Sequence, residues 1–168
     1  MPRVVHRHIS LLGLLFFSFG NFLVSCDSYV PIWKGQRELG GYILPSTEDP
    51  ITFEVSIDSI APLMYVGVEL EVLYDTYTGR DYLPLVLEIS DEKGNTFLEK
   101  TPVKIPIREG QKWLGYPLKK NKEYIITQMV VDRVKLFPGL YIFQLAADNP
   151  DLPFLPGIVE IRVRFFQV

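Results

Sequence analysis

Ile51-Thr52-Phe53-Glu54-Val55-Ser56-Ile57 alternates apolar and polar side chains without a break. Successive side chains of an extended chain point to opposite faces, so this run predicts a strand with one face buried. The same period recurs downstream. Val66, Val68, Leu70, Val72 and Tyr74 alternate with Gly67, Glu69, Glu71 and Leu73. Leu83–Ser90 sets Leu85, Leu87 and Ile89 on one face, and Asp91-Glu92-Lys93-Gly94-Asn95 then predicts a hairpin turn, because glycine reaches positive φ at no steric cost. Thr96–Leu98 returns as a short strand. Val103, Ile105 and Ile107 alternate too, but Pro102 and Pro106 restrict that segment to an edge strand or an extended loop. Gly110–Pro117 reads as a turn-rich aromatic loop. Glu123–Val131 is rich in β-branched residues and lacks helical spacing, which favours a strand. Phe137-Pro138-Gly139 predicts a tight turn. It leads into Leu140–Ala147, with Tyr141, Phe143 and Leu145 on one face. A polar, proline-rich loop over Asp148–Pro156 precedes the last strand, Gly157–Gln167. There Val159, Ile161, Val163 and Phe165 are expected inside and Glu160, Arg162 and Arg164 outside. About eight short strands with turn punctuation, no amphipathic helix after the leader and no internal repeat predict an all-β fold, an antiparallel β-sandwich over residues 51–168.

The N-terminal segment has a different character. Arg3, His6, Arg7 and His8 precede the apolar run Ile9–Val24, and Ser25-Cys26 follows. A basic flank, a short apolar core entering the bilayer as a helix and a small-residue junction make a secretory leader. The core is short for a spanning helix, which needs about 20 apolar residues. Leu23-Val24-Ser25-Cys26 is the junction of a bacterial lipoprotein signal peptide. Residues 1–25 would be removed and Cys26 would carry a diacylglyceryl group through a thioether. An uncleaved transmembrane anchor with an incidental cysteine is the alternative. Residues 26–50 carry Pro31, Gly35, Gly40, Gly41, Pro45 and Pro50. They read as a tether that lets the domain stand off the membrane. Trp33 and Tyr42-Ile43-Leu44 are too apolar for a fully solvated linker, so part of the segment is expected to pack on the domain, with Tyr42–Leu44 as an edge strand.

Composition narrows the chemistry. Both histidines lie before Cys26, and Cys26 is the chain's one cysteine. The mature chain thus offers no Ser-His or Cys-His nucleophile, no redox cysteine pair, no disulfide and no His/Cys zinc site. No cofactor motif is legible. Two of the 17 basic side chains fall in the leader, leaving 15 against 20 acids. That acidic balance argues against nucleic acid as a partner. The Lys119-Lys120-Asn121-Lys122 cluster reads as a solvated turn.

Three groups remain to be weighed. Glu69 and Glu71 share a strand face, as a carboxylate pair for acid–base chemistry would; the plainer reading is a solvated sheet face. Asp148-Asn149-Pro150-Asp151 offers oxygen ligands but lacks the longer set that calcium requires, and reads as a polar turn. Trp33, Trp113 and Tyr116 could form a platform for a sugar or a peptide; the plainer reading places such aromatics in the core. If exposed, the Trp113 loop is the first candidate partner surface.

The C-terminal third carries a resemblance. Phe137-Pro138-Gly139-Leu140-Tyr141-Ile142-Phe143-Gln144, then Leu155-Pro156-Gly157-Ile158 and a terminal strand, resembles the gliding-motility lipoprotein GldH family of Bacteroidota. Cys26 followed by Asp27, the Phe53-Glu54-Val55 strand ending at Asp58, and Asp91 and Gly94 before Trp113-Leu114-Gly115 agree with it. The spacer after Phe137-Pro138 is shortened, the arginine expected late in the second strand is replaced near Glu69–Val72, and the family's Gln-x-Met-Arg becomes Gln144-Leu145-Ala146-Ala147. The resemblance implies a non-enzymatic outer-membrane lipoprotein, held by its N-terminal lipid and partnered by other envelope proteins of the gliding and secretion machinery. It supplies no catalytic residues. A single acid after the cysteine, Asp27, favours the periplasmic face. A carbohydrate- or peptide-binding envelope lipoprotein is the alternative.

Overall fold

A computed structural model describes residues 30–39, 48–58, 64–75, 81–118, 123–148 and 157–168. The expected leader (residues 1–25), Cys26, the expected edge strand Tyr42–Leu44, the lysine cluster at 119–122 and residues 149–156 lie outside these residues. Eight strands of six residues or more carry the fold: β1 (Trp33–Glu38), β2 (Ile51–Ile57), β3 (Met64–Tyr74), β4 (Tyr82–Asp91), β5 (Thr96–Pro106), β9 (Tyr124–Leu136), β10 (Gly139–Ala147) and β11 (Ile158–Gln167). Three two-residue strands lie between β5 and β9: β6 (Arg108–Glu109), β7 (Lys112–Trp113) and β8 (Tyr116–Pro117). Every pairing is antiparallel. The first sheet has the order β1-β11-β3-β9-β8, the second β2-β10-β4-β5, and β6 pairs with β7 alone. The fold is the antiparallel β-sandwich that the alternation predicts.

The apolar face of each strand meets the other sheet. Val66, Val68, Leu70, Val72, Ile161, Val163 and Phe165 from the first sheet and Leu83, Leu85, Leu87, Ile89 and Phe143 from the second are fully buried. Between the sheets runs an aromatic chain. Trp33 and Phe143 each meet Phe165 edge-on at 5.6 Å, and Phe53 lies 6.0 Å from Trp33. These are favourable arrangements for rings with a negative face and a positive edge.

Several strands depart from the sequence reading, each for a physical reason. In the described part of the N-terminal segment, β1 forms an edge strand that the sequence reading does not single out. Its alternation is weak because the inward position after Trp33 is Gly35. A Cβ there would fall 2.4 Å from the Trp33 ring. The glycine lets the indole fold over the strand and reach Phe53. β5 is one strand through both prolines, and it can be because it lies at the sheet edge, where a missing N–H costs no ladder bond. Lys100, Pro102, Lys104 and Pro106 also blunt that edge against pairing with another chain. β9 runs five residues beyond Val131, with irregular register opposite Val66–Glu69 that absorbs Asp132 and Arg133. Val159 is half-buried rather than inside, because a register shift between Ile158 and Glu160 hands its inward place to Ile158.

Phe137-Pro138 joins β9 of one sheet to β10 of the other, so this turn is an arch and not a hairpin. Tyr141 clamps it. Its hydroxyl donates to the Phe137 carbonyl at 2.8 Å and accepts from the Phe137 N–H at 2.9 Å. This is the geometry of the tyrosine corner found in β-sandwiches. Part-buried bonds of this kind contribute about 1 kcal/mol each.

Candidate functional site

The three aromatic residues that the sequence singles out do not meet. Trp33 lies on β1 at one edge of the first sheet, level with Phe165 and Val68. Tyr116 lies on β8 at the other edge, level with Ile125 and Leu73. Four strand spacings separate these edges, roughly 19 Å at the usual distance between paired strands. Trp33 is spent on the core. Trp113 is half-buried: it stacks on Tyr124 at 6.2 Å and leans on Tyr74 at 5.9 Å, with the Arg108 guanidinium 5.6 Å from its ring. Tyr116 alone of the three is open to solvent, at 82% exposure.

The Trp113 loop is held by Tyr74, the last apolar position in the alternation of β3. Tyr74 is fully buried, and its hydroxyl donates to the Leu114 carbonyl, with the Ile107 carbonyl 3.3 Å away. The Leu114 N–H closes the same loop onto the Ile107 carbonyl at 2.9 Å. Burial, and secondarily the neighbouring Tyr124, pushes the Tyr74 pKa up to about 12. Gly115 passes so near β9 that a Cβ would fall 2.5 Å from the Ile125 carbonyl oxygen, and its φ of 91° suits glycine. The loop is therefore pinned at its base and presents Tyr116 from a fixed frame.

The outer face of the first sheet is not the solvated face expected around Glu69 and Glu71. The register places Arg164 opposite Glu69 and Arg162 opposite Glu71. Glu71 takes an ion pair from each arginine, from Arg164 at 2.6 Å and from Arg162. Arg162 also grips Glu160 with two bonds, at 2.8 and 3.1 Å, and Arg164 reaches Glu69 at 3.1 Å. The bonds to Glu160 first, and then to Glu71, raise the Arg162 pKa further above its usual range, against the opposing effect of burial. Both carboxylates of the supposed acid–base pair are thus occupied by guanidinium groups. Sequence showed the acids and the arginines, but not that 91 residues of separation close to one cross-strand pair.

Glu71→Gln is expected to cost about 1–2 kcal/mol. Its own carboxylate is shielded, but both arginines keep about a third of their side-chain surface in water, and solvent discounts the pairs accordingly. Urea unfolding should show the loss, and molar salt should narrow it.

Beside the ladder lies an open groove of about 650 Å³ lined by Pro31, Lys34, Glu69, Met129, Arg164, Phe166 and Val168. Its floor mixes apolar and charged groups. No motif marked it, because its walls come from four segments far apart in the chain. Among the described residues no group of three or more His, Cys, Asp or Glu is placed to hold a metal ion. Among the same residues no helix is long and apolar enough to cross a membrane. Asp148 is exposed, and its N–H donates to the Pro84 carbonyl at 3.2 Å.

No protein-family model matches this sequence, and no curated protein matches it. Among solved structures the chain is similar to "CBM35 from Cellvibrio japonicus Abf62", at 16% identity and a TM-score of 0.38 over 78% of this chain and 92% of that one. A CBM35 from Paenibacillus barcinonensis follows at 12% identity and a TM-score of 0.33, over 78% and 97% of the two chains. A family 35 carbohydrate binding module from Clostridium thermocellum follows at 14% and 0.29, over 73% and 96%.

Proposed function

We propose that this chain is a lipid-anchored envelope protein of the kind its sequence resembles, the gliding-motility lipoprotein GldH family. Its β-sandwich serves as a non-catalytic docking part of a gliding or secretion assembly in the outer membrane. The observation that carries this reading is the leader ending in Leu23-Val24-Ser25-Cys26, which converts the one cysteine into an acylated N-terminus. Two acyl chains or more hold a protein stably at a bilayer, at roughly 0.8 kcal/mol per buried CH2. The geometry supports a docking role over a chemical one. Glu69 and Glu71 are consumed by the arginine ladder, and the loop that presents Tyr116 is braced by buried bonds.

The test is Cys26→Ser in the native host. The substituted protein is expected to lose palmitate incorporation and to leave the membrane fraction. Spreading or secretion should fall to the level of a deletion strain. A Cys26→Ser protein that stays with the membrane would overturn the anchor. A deletion strain with normal spreading and normal secretion would overturn the assembly role.

A further inference from the structure

We propose that the sandwich does not stand off on a leash but rests end-on against the bilayer, through a corner formed by Val30, Ile32, Tyr65 and Val168. The inference rests on the lipidation of Cys26 proposed above. It adds to that reading which part of the domain meets the lipid.

The first argument is covalent reach. Four peptide units separate Cys26 from Val30, and at 3.3–3.6 Å each they span at most about 14 Å. The chain is bound to the sandwich almost at once, since the Ile32 N–H donates to the Phe165 carbonyl at 2.8 Å and β1 begins at Trp33. β3 alone has eleven residues, so its length, at about 3.3 Å per residue, is roughly 36 Å. A leash shorter than half the domain brings one end of the sandwich to the membrane surface and keeps the other away.

The second argument is what that end carries. Nine large apolar side chains are exposed among the described residues. The strand register places Val30, Ile32, Tyr65, Val168, Phe137 and Leu140 at the end where the chain enters. Only Tyr116 and Leu118 sit at the far end, and Met129 lies midway on the outer face. Basic groups flank the corner. The Arg133 guanidinium lies 3.7 Å from the Tyr65 ring centre, and Lys135 is opposite Tyr65 in the register. Apolar side chains rimmed by tyrosine and long cations suit the boundary between headgroups and acyl chains. Asp58, Asp91 and Glu92 lie at this end on the second sheet, and Asp132 lies in the irregular stretch of β9. With Lys93 counted, that side of the end is still net acidic, while Arg133 and Lys135 outnumber Asp132 on the first sheet, so the corner where the leash attaches is the part turned to an anionic surface.

The experiment uses the full acylated chain, reconstituted in vesicles of phosphatidylethanolamine and phosphatidylglycerol. The Cys26 thiol is taken by the thioether, so one added cysteine gives one site for a fluorophore. Gln167→Cys and Lys135→Cys report the near end, and Lys112→Cys reports the far end. All three positions are exposed. Nitroxide-labelled lipid is expected to quench the two near-end probes at least about twofold more than the far-end probe. Equal quenching at all three would overturn the seating. Near-end probes that are shielded, unquenched by lipid and released on diluting the protein would assign the corner to a second copy instead. The mass of the N-terminal peptide separates the two proposals. Acylated but unquenched protein defeats the seating alone, whereas protein without the acyl group defeats the anchor and the seating together.

Discussion

Phe165→Ala is expected to remove about 3–5 kcal/mol of stability, the range for truncating a large buried aromatic residue. Phe165 has no exposed surface. It is the ring on which two others converge: Trp33 from the neighbouring strand and Phe143 from the facing sheet, each edge-on at 5.6 Å. Its loss therefore opens a void between the sheets and strips both neighbours of a contact. The void cannot be refilled cheaply. Trp33 is held over Gly35, with the space above that glycine already filled by the indole. Phe143 is fixed by ladders on both sides, to β2 and to β4. Urea unfolding should show a lower midpoint with little change in slope, since the surface exposed on unfolding is nearly the same. Phe165→Leu, which keeps most of the volume, should cost less than half as much. A cost below 1 kcal/mol for the alanine variant would mean that the inter-sheet aromatic chain is not a supporting element.

The same cluster shows how far the sequence could be read. Period-two alternation exposes a strand wherever each inward position is itself apolar, and β2, β3, β4 and β10 satisfy that condition. β1 does not. Its inward residues are a tryptophan and a glycine, and the glycine is apolar only because the tryptophan covers it. That relation exists in space and leaves no mark on hydropathy. The two prolines restrict residues 103–107 to an edge strand or a loop; the edge strand forms, continuous with Thr96–Leu98, because on an edge the missing donors face solvent. The ion-pair ladder was hidden for another reason. Alternation says that Glu69, Glu71, Arg162 and Arg164 point away from the core, but register decides whether they meet water or one another. A one-residue slip between β3 and β11 would turn their inner faces outward, so inner-face packing constrains the register that brings the charges together. The candidate aromatic platform dissolved on the same ground: sequence places three exposed-looking rings near glycine or proline but cannot say which sheet edge each occupies. The proposed anchor is the opposite case. Its signal is linear, a basic flank, an apolar run and a Ser-Cys junction, so it is read from the sequence alone.

Tyr74 unites the core and the candidate partner loop, and its two roles can be separated by experiment. Tyr74→Ala is expected to cost about 3–5 kcal/mol, because the ring is fully buried and stacks on Tyr124 at 5.6 Å. Tyr74→Phe keeps the ring and deletes only the hydroxyl. At neutral pH it should cost about 1–3 kcal/mol, since the carbonyls of Ile107 and Leu114 would lose their buried donor. The pH dependence gives the sharper readout. With its pKa raised from 10.0 to about 12, Tyr74 keeps its proton in the folded chain while an unfolded chain releases it. Its contribution is thus fully present below pH 10 and is lost as pH rises through that interval, by roughly 2–3 kcal/mol in all. The stability gap between the native chain and Tyr74→Phe should therefore be constant from neutral pH to about 10 and close above it. A gap that stays constant across the whole range would show that the hydroxyl is not held as a buried donor. The loop bearing Tyr116 responds as well. Without the hydroxyl, Ile107 and Leu114 keep their mutual backbone bond but lose their tie to β3, so amide exchange from Gly110 to Leu118 should speed up by about tenfold or more while that of β4 and β10 falls in step with global stability alone. An exchange rate in the loop that simply tracks the core would make Tyr74 a packing residue and nothing more.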